Sequence, residues 1–193
     1  TIQQKDLAQF GPSKRVLGVI RPTAEVIGRF SESGQLGVLA TKGTVLSESY
    51  LLEIAHFFPD MTVFQQACPM WVPLIENGEH EGAGADYFVK DSLDQLMRQS
   101  PAIDTVLLAC THYPLLIPKI EAQLPKHIQV VSQGEIVAQS LANYLERHPA
   151  MADHCSKNGH IRFCTTDSTT DFDEKGAIFF GKSLKSEHIL LGH

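Results

Sequence analysis

Short runs rich in Val, Leu and Ile recur at residues 16–20, 36–40, 61–65, 105–109, 128–131 and 161–165, with helix-patterned segments between them. Backbone groups in such runs need ladder partners, and runs apolar on both sides of the pleat need cover on both faces. The pattern therefore predicts βαβ units, an α/β protein built on a parallel sheet with helices on either side. Pro22 suits the first turn of a helix over 23–30, and residues 45–58 carry apolar positions at helical spacing up to Pro59. Residues 91–98 and 114–124 read the same way; Ser132 and Gln133 precede a helix over 135–147, and a last helix over 171–180 ends at Gly181. Residues 77–85 and 148–160 read as loops. In such a sheet, ligands lie just beyond the carboxyl ends of the strands.

The 193 residues are enough for one large domain or two small lobes with a sizeable core. Hydrophobic residues at 43% and charged residues at 20% exclude a disordered or fibrous chain. With 16 basic and 22 acidic side chains, a net charge of −6 and no long block of either sign, a nucleic-acid partner is disfavoured. No apolar stretch approaches the roughly 20 residues that span a bilayer, so no membrane partner is expected. The chain opens on Thr1 without a basic flank and apolar run, which reads as a piece of a longer protein with no signal peptide. Four cysteines, 68, 110, 155 and 164, are too few for a disulfide scaffold and fit a reducing cytoplasm.

The strand at 105–109 runs straight into Cys110-Thr111-His112-Tyr113-Pro114, placing a thiol, a hydroxyl and an imidazole on one turn before a helix. Free backbone N–H groups and a helix start there are expected to lower the pKa of Cys110 from about 8.5. His112 is placed to exchange a proton with that thiol or with a substrate. The competing reading is that Cys110 is a small buried hydrophobe. Thr41-Lys42-Gly43-Thr44 follows the strand at 36–40, where two hydroxyls at a helix start either hold an anion or simply cap the helix. Glu76 ends an apolar run after Cys68 and is either an acid/base or a solvated carboxylate.

His154, Cys155, His160 and Cys164 are close in sequence, but their spacing fits no standard zinc pattern, so no metal site is expected. Neither GxGxxG, GxxxxGK[ST] nor GxSxG occurs, which removes the common dinucleotide, P-loop and serine-hydrolase signatures.

Several blocks together resemble glutamate racemases. They are Val16-Leu17-Gly18-Val19-Ile20-Arg21-Pro22, Gly37-Val38-Leu39-Ala40-Thr41-Lys42-Gly43-Thr44, Gln66-Ala67-Cys68-Pro69 with Val72-Pro73-Leu74-Ile75-Glu76, and Leu108-Ala109-Cys110-Thr111-His112-Tyr113-Pro114. Phe163-Cys164-Thr165-Thr166-Asp167 and Phe179-Phe180-Gly181 are similar to the family's terminal strand and helix. The resemblance implies a cofactor-independent cytoplasmic bacterial enzyme that interconverts L- and D-glutamate, supplies D-glutamate for peptidoglycan and has a homodimer as a candidate assembly. It implies Cys110 as one catalytic thiol, His112 assisting it, Glu76 as the acidic residue near the reacting carbon, and Thr111, Thr41 and Thr44 as substrate-binding hydroxyls; Cys68 is expected to be structural.

It further implies two α/β lobes, with residues 21–129 forming the second and residues 1–20 and 130–193 belonging to the first. The family's other thiol lies in a Cys-Asn-Thr block expected upstream of Thr1, leaving half of a two-thiol site in this chain. The alternatives are an aspartate racemase, a one-thiol relative, or a non-catalytic carboxylate-binding α/β module. The half-site reading predicts that the pure chain neither exchanges nor inverts the α-proton of glutamate and tends to associate; inversion by the pure 193-residue protein refutes it.

Overall fold

A central strand of a parallel sheet must be apolar at every position, and β1 (Gln35–Ala40) is buried at residues 36–40 without a break. The computed structural model describes residues 16–191, in which β1 lies in a four-stranded sheet of order β2-β1-β3-β4. Its partners are β2 (Thr62–Ala67), β3 (Thr105–Leu108) and β4 (Gln129–Ser132), and every pairing is parallel. Five of the six expected strands are present, each within two residues of its expected bounds. Residues 16–19 are the exception: they form no strand among the described residues, and Ile20 instead opens α1 (Ile20–Ala24). Leu17 and Val19 are about half exposed there, so the apolar run at 16–20 does not enter the sheet.

Helices cover both faces, giving three layers. On one face α4 (Trp71–Glu76), α5 (Ala83–Gln99) and α6 (Ile117–Gln123) pack Trp71, Val89, Leu93, Leu96 and Ile120 against Leu39, Val106 and Leu108. On the other, α1, α3 (Ser49–Phe57) and α7 (Gln133–Arg147) bring Ala24, Tyr50, Ile54 and Ile136 onto Leu36, Val38, Leu107 and Val131. The strand alternation of period two divides one strand's side chains between the two cores.

Several helix boundaries differ from the sequence expectation. The helix expected over 45–58 is split into α2 (Lys42–Leu46) and α3 by Glu48, whose left-handed φ of 52° interrupts the turn. The helix expected over 23–30 divides into α1 and a 3₁₀ turn, Ile27–Phe30. α5 begins at Ala83, inside the expected loop, with Gly82 as its extended N-cap. α4 is an additional helix with no counterpart in the sequence expectation; Pro73 lies in its first turn, where a missing N–H is tolerated. α8 (Pro149–Asp153) occupies part of the second expected loop.

A second, two-stranded parallel sheet pairs β5 (Phe163–Thr165) with β6 (Ser186–His188), and α9 (Thr169–Phe180) joins them as a crossover packed on β6. Ser168 caps α9 by accepting from the N–H of Asp171 at 3.2 Å, and Gly181 ends it at φ 72°, as expected for a left-handed C-cap. Residues 1–15 of the expected first lobe lie outside the described residues.

Asp104, just before β3, pins the loop leading into β1. Its carboxylate accepts from the Ser31 hydroxyl at 2.6 Å and from the N–H groups of Glu32 and Ser33 at 2.8 and 2.7 Å. Burial opposes ionisation, but the hydrogen bonds from Ser31, Ser33 and Thr105 outweigh it and hold the carboxyl at about 2. A depressed acid stabilises the fold above its unfolded pKa of about 3.9. Asp104→Ala is therefore expected to lower unfolding free energy by about 1–3 kcal/mol at neutral pH in urea titrations. That deficit should shrink as pH falls from about 4 towards about 2.

Candidate active site

The parallel register decides which residues meet at the carboxyl edge of the sheet. Leu39 pairs with Leu108 and Ala40 with Ala67. The ladders continue one step further, through Ala109 N–H to Leu39 C=O and Cys68 N–H to Ala40 C=O, both 2.8 Å. Cys68, Thr41 and Cys110 therefore leave three adjacent strands side by side, although 42 residues separate the two cysteines.

Within the turn after β3, Cys110 Sγ lies 3.9 Å from His112 Nδ1, and Thr111 Oγ1 lies 3.4 Å from the same nitrogen. His112 Nε2 lies 3.2 Å from Glu76 Oε1, at the end of α4. With the carboxylate accepting from Nε2–H, the neutral ring presents the Nδ1 lone pair to the thiol. This is the arrangement in which an imidazole takes a proton from sulfur and a carboxylate holds the tautomer. The structure thus brings four expected residues, Cys110, Thr111, His112 and Glu76, into one chain of polar contacts. Thr41 and Thr44 pair with each other instead, hydroxyl to hydroxyl at 3.0 Å, and Thr41 Oγ1 caps α2 by accepting from Thr44 N–H at 3.4 Å.

Buried aromatic packing fixes the turn. Tyr113 follows His112, packs edge-on to Trp71 with ring centroids 4.7 Å apart, and donates its hydroxyl to Cys68 C=O at 3.3 Å. Trp71 Nε1–H donates to Phe88 C=O at 3.2 Å, tying α4 to α5. On the opposite face Gln133, at the start of α7, accepts from the Tyr50 hydroxyl at 2.6 Å and donates to Leu108 C=O at 3.2 Å, two residues before Cys110. Tyr50 and Gln133 are site-supporting residues that sequence reasoning missed; they are 83 positions apart and only the fold joins them.

Burial governs the thiols. It pushes Cys68 up to about 12, which marks it as a core residue, in keeping with a structural role. For Cys110 the expected lowering does not prevail: burial raises the thiol, the N–H groups of His112 and Tyr113 oppose that, and the Glu76 carboxylate adds to the rise. The physical reason is that only a four-residue 3₁₀ turn, Tyr113–Leu116, follows directly, with α6 starting at Ile117. Few aligned peptide dipoles point at the sulfur, too few to offset burial.

Glu76 and His112 open onto a cleft of about 460 Å³ whose other wall is α9, with Asp167, Asp171, Lys175 and Phe179 among its lining residues. Phe179 meets the His112 ring edge-on, centroids 5.0 Å apart. Among the described residues, no three or more His, Cys, Asp or Glu side chains gather as a metal would require. No described helix is long and apolar enough to cross a membrane.

No family model matches the chain. It is 40% identical over 162 residues to a glutamate racemase of Shouchella clausii, covering 84% of this chain and 57% of that protein. The crystal structure of a glutamate racemase isoform from Bacillus anthracis is 30% identical and superposes with a TM-score of 0.85 over 96% of this chain and 68% of that one. An Escherichia coli glutamate racemase crystallised with L-glutamate and the activator UDP-MurNAc-ala is 25% identical, with a TM-score of 0.61 over 90% of this chain and 63% of that one. The chain thus spans about three fifths to two thirds of the length of these relatives.

The thiol environments predict an order of reaction with neutral iodoacetamide. Exposed Cys155 and Cys164 react first; Cys110 reacts with a pH midpoint above the ordinary thiol value of about 8.5, and Cys68 reacts only after unfolding. Glu76→Gln should move the Cys110 midpoint to lower pH, read by peptide mass spectrometry; a wild-type midpoint below the ordinary value contradicts this assignment.

Proposed function

The chain belongs to the glutamate racemase family, and we propose on that basis that Cys110 is one of two thiols that invert the α-carbon of glutamate without a cofactor. The observation that carries this reading is the line from Cys110 Sγ through His112 to Glu76 at the end of β3. Inversion needs a base on one face of the carbon and an acid on the other. With its pKa raised, Cys110 rests as a thiol, able to deliver a proton to a carbanion. In the other direction, transfer of its proton to His112 Nδ1 leaves a thiolate that abstracts the α-proton. Glu76 holds His112 in the required tautomer and stabilises the imidazolium that forms. Thr111, and the Thr41–Thr44 pair beyond β1, supply hydroxyls for the substrate's carboxylates, where negative charge accumulates in the transition state.

The second thiol is assigned to a Cys-Asn-Thr segment of the family, a motif absent from the 193 residues. Buried Cys68 and exposed Cys155 and Cys164 are not candidates for it. Residues 21–129 are taken as the second lobe and residues 1–20 and 130–193 as part of the first, so the chain returns to the first lobe near the start of β4. The cellular reading is a cytoplasmic enzyme supplying D-glutamate for peptidoglycan, with a homodimer as its candidate assembly.

Glutamate is expected to slow iodoacetamide labelling of Cys110 while leaving Cys155 untouched. In a reconstituted two-thiol enzyme, Cys110→Ala should abolish inversion and His112→Asn should lower its rate by about 10²–10⁴. Labelling of Cys110 that saturating glutamate leaves unchanged refutes the assignment.

A further inference from the structure

We propose that Lys175, on α9, is the carboxylate-recognition residue of the cleft that His112 and Glu76 share. Three of the charged groups lining this cleft, Glu76, Asp167 and Asp171, are acidic, and Lys175 is the lysine or arginine among the described lining residues. An α-amino dicarboxylate carries one ammonium and two carboxylates. The acids suit the ammonium, and a carboxylate entering past them needs a cation to offset their field.

Lys175 has no ion pair or hydrogen bond among the described residues; even Asp171, one turn earlier on the same helix, lies outside ion-pair distance. Its ammonium is therefore free to take a ligand. Its position is set by the helix: Phe179, four residues on and so on the same face, touches the His112 ring at 5.0 Å. Gly176 lets α9 seat closely on the following segment, because a Cβ there would come within 2.9 Å of Leu184 Cδ2. Lys175 thus stands on the α9 wall across from the Cys110 turn, on an element that the sequence blocks do not mark as part of the site.

The inference rests on the reading of Cys110 as the substrate-facing thiol, but its test needs no glutamate. Iodoacetate and iodoacetamide alkylate a thiolate in the same way, sulfur displacing iodide from the CH₂ group, and differ in the charge of the reagent. The ratio of their rates at Cys110, read by peptide mass spectrometry on the 193-residue chain, reports the cation. At a pH where Cys110 is fully ionised, Lys175→Met should lower the iodoacetate-to-iodoacetamide ratio at Cys110 by about threefold or more, with the iodoacetamide rate and the ratio at Cys155 unchanged. Lys182→Met, which removes a lysine that instead lies over the Phe180 ring, should leave the Cys110 ratio as it is.

An unchanged Cys110 ratio in the Lys175 variant overturns the proposal, as does an equal fall at Cys155, which would report net charge only. A changed iodoacetamide rate at a pH where Cys110 is fully ionised overturns it too, because the cleft itself would then have altered. Failure of glutamate to protect Cys110 in the unsubstituted chain counts against the racemase reading; a flat reagent ratio counts against Lys175.

Discussion

The parallel ladder between β1 and β3 is the constraint on which the rest of the structure depends. Its register sets Leu39 against Leu108 and so delivers Thr41 and Cys110 to the same edge at the same height. A parallel strand cannot slip without moving its apolar side chains to the wrong core, and here both faces are covered. The site is therefore as rigid as the sheet that carries it. The short turn after β3 adds little freedom, because the residue after His112 is Tyr113, fully buried and bonded to the carbonyl of Cys68.

Two buried polar links connect the site to the two helical layers. Tyr113 and Trp71 fasten it to α4 and α5, while Gln133 and Tyr50 fasten the end of β3 to α7 and α3. Each link satisfies a group that would otherwise be buried without a partner, so each is costly to break. Together they hold the backbone around Cys110 from both sides of the sheet. The side chains of His112 and Glu76 stay partly exposed at its edge.

The thiol illustrates how local and tertiary effects compete. Backbone N–H groups of His112 and Tyr113 lower the pKa of Cys110, as the turn alone leads one to expect. Burial and the Glu76 carboxylate act in the opposite sense and prevail. A thiol with an imidazole alongside is a proton donor that becomes a base only when the imidazole accepts its proton.

The sequence by itself determined the α/β class, five of the six strands, the helix stop at Gly181 and the Cys110-Thr111-His112 turn. Each depends on local signals: apolar periodicity, a positive-φ glycine, neighbouring residues in one strand-to-helix connection. The family blocks also singled out Glu76, whose local pattern alone left it open between an acid/base and a solvated carboxylate. Local signals failed where a neighbour distant in sequence was decisive. The run at 16–20 has the composition of a strand but is not a strand of the four-stranded sheet, and the helix over 45–58 breaks at Glu48. Only the tertiary structure decided that Glu76, 36 positions from His112, meets its Nε2, that Gln133 bonds the end of β3, and that α9 closes the cleft with Phe179 and Lys175. Those placements follow from sheet register and helix packing, which join residues by distance in space and leave no pattern in the chain around them.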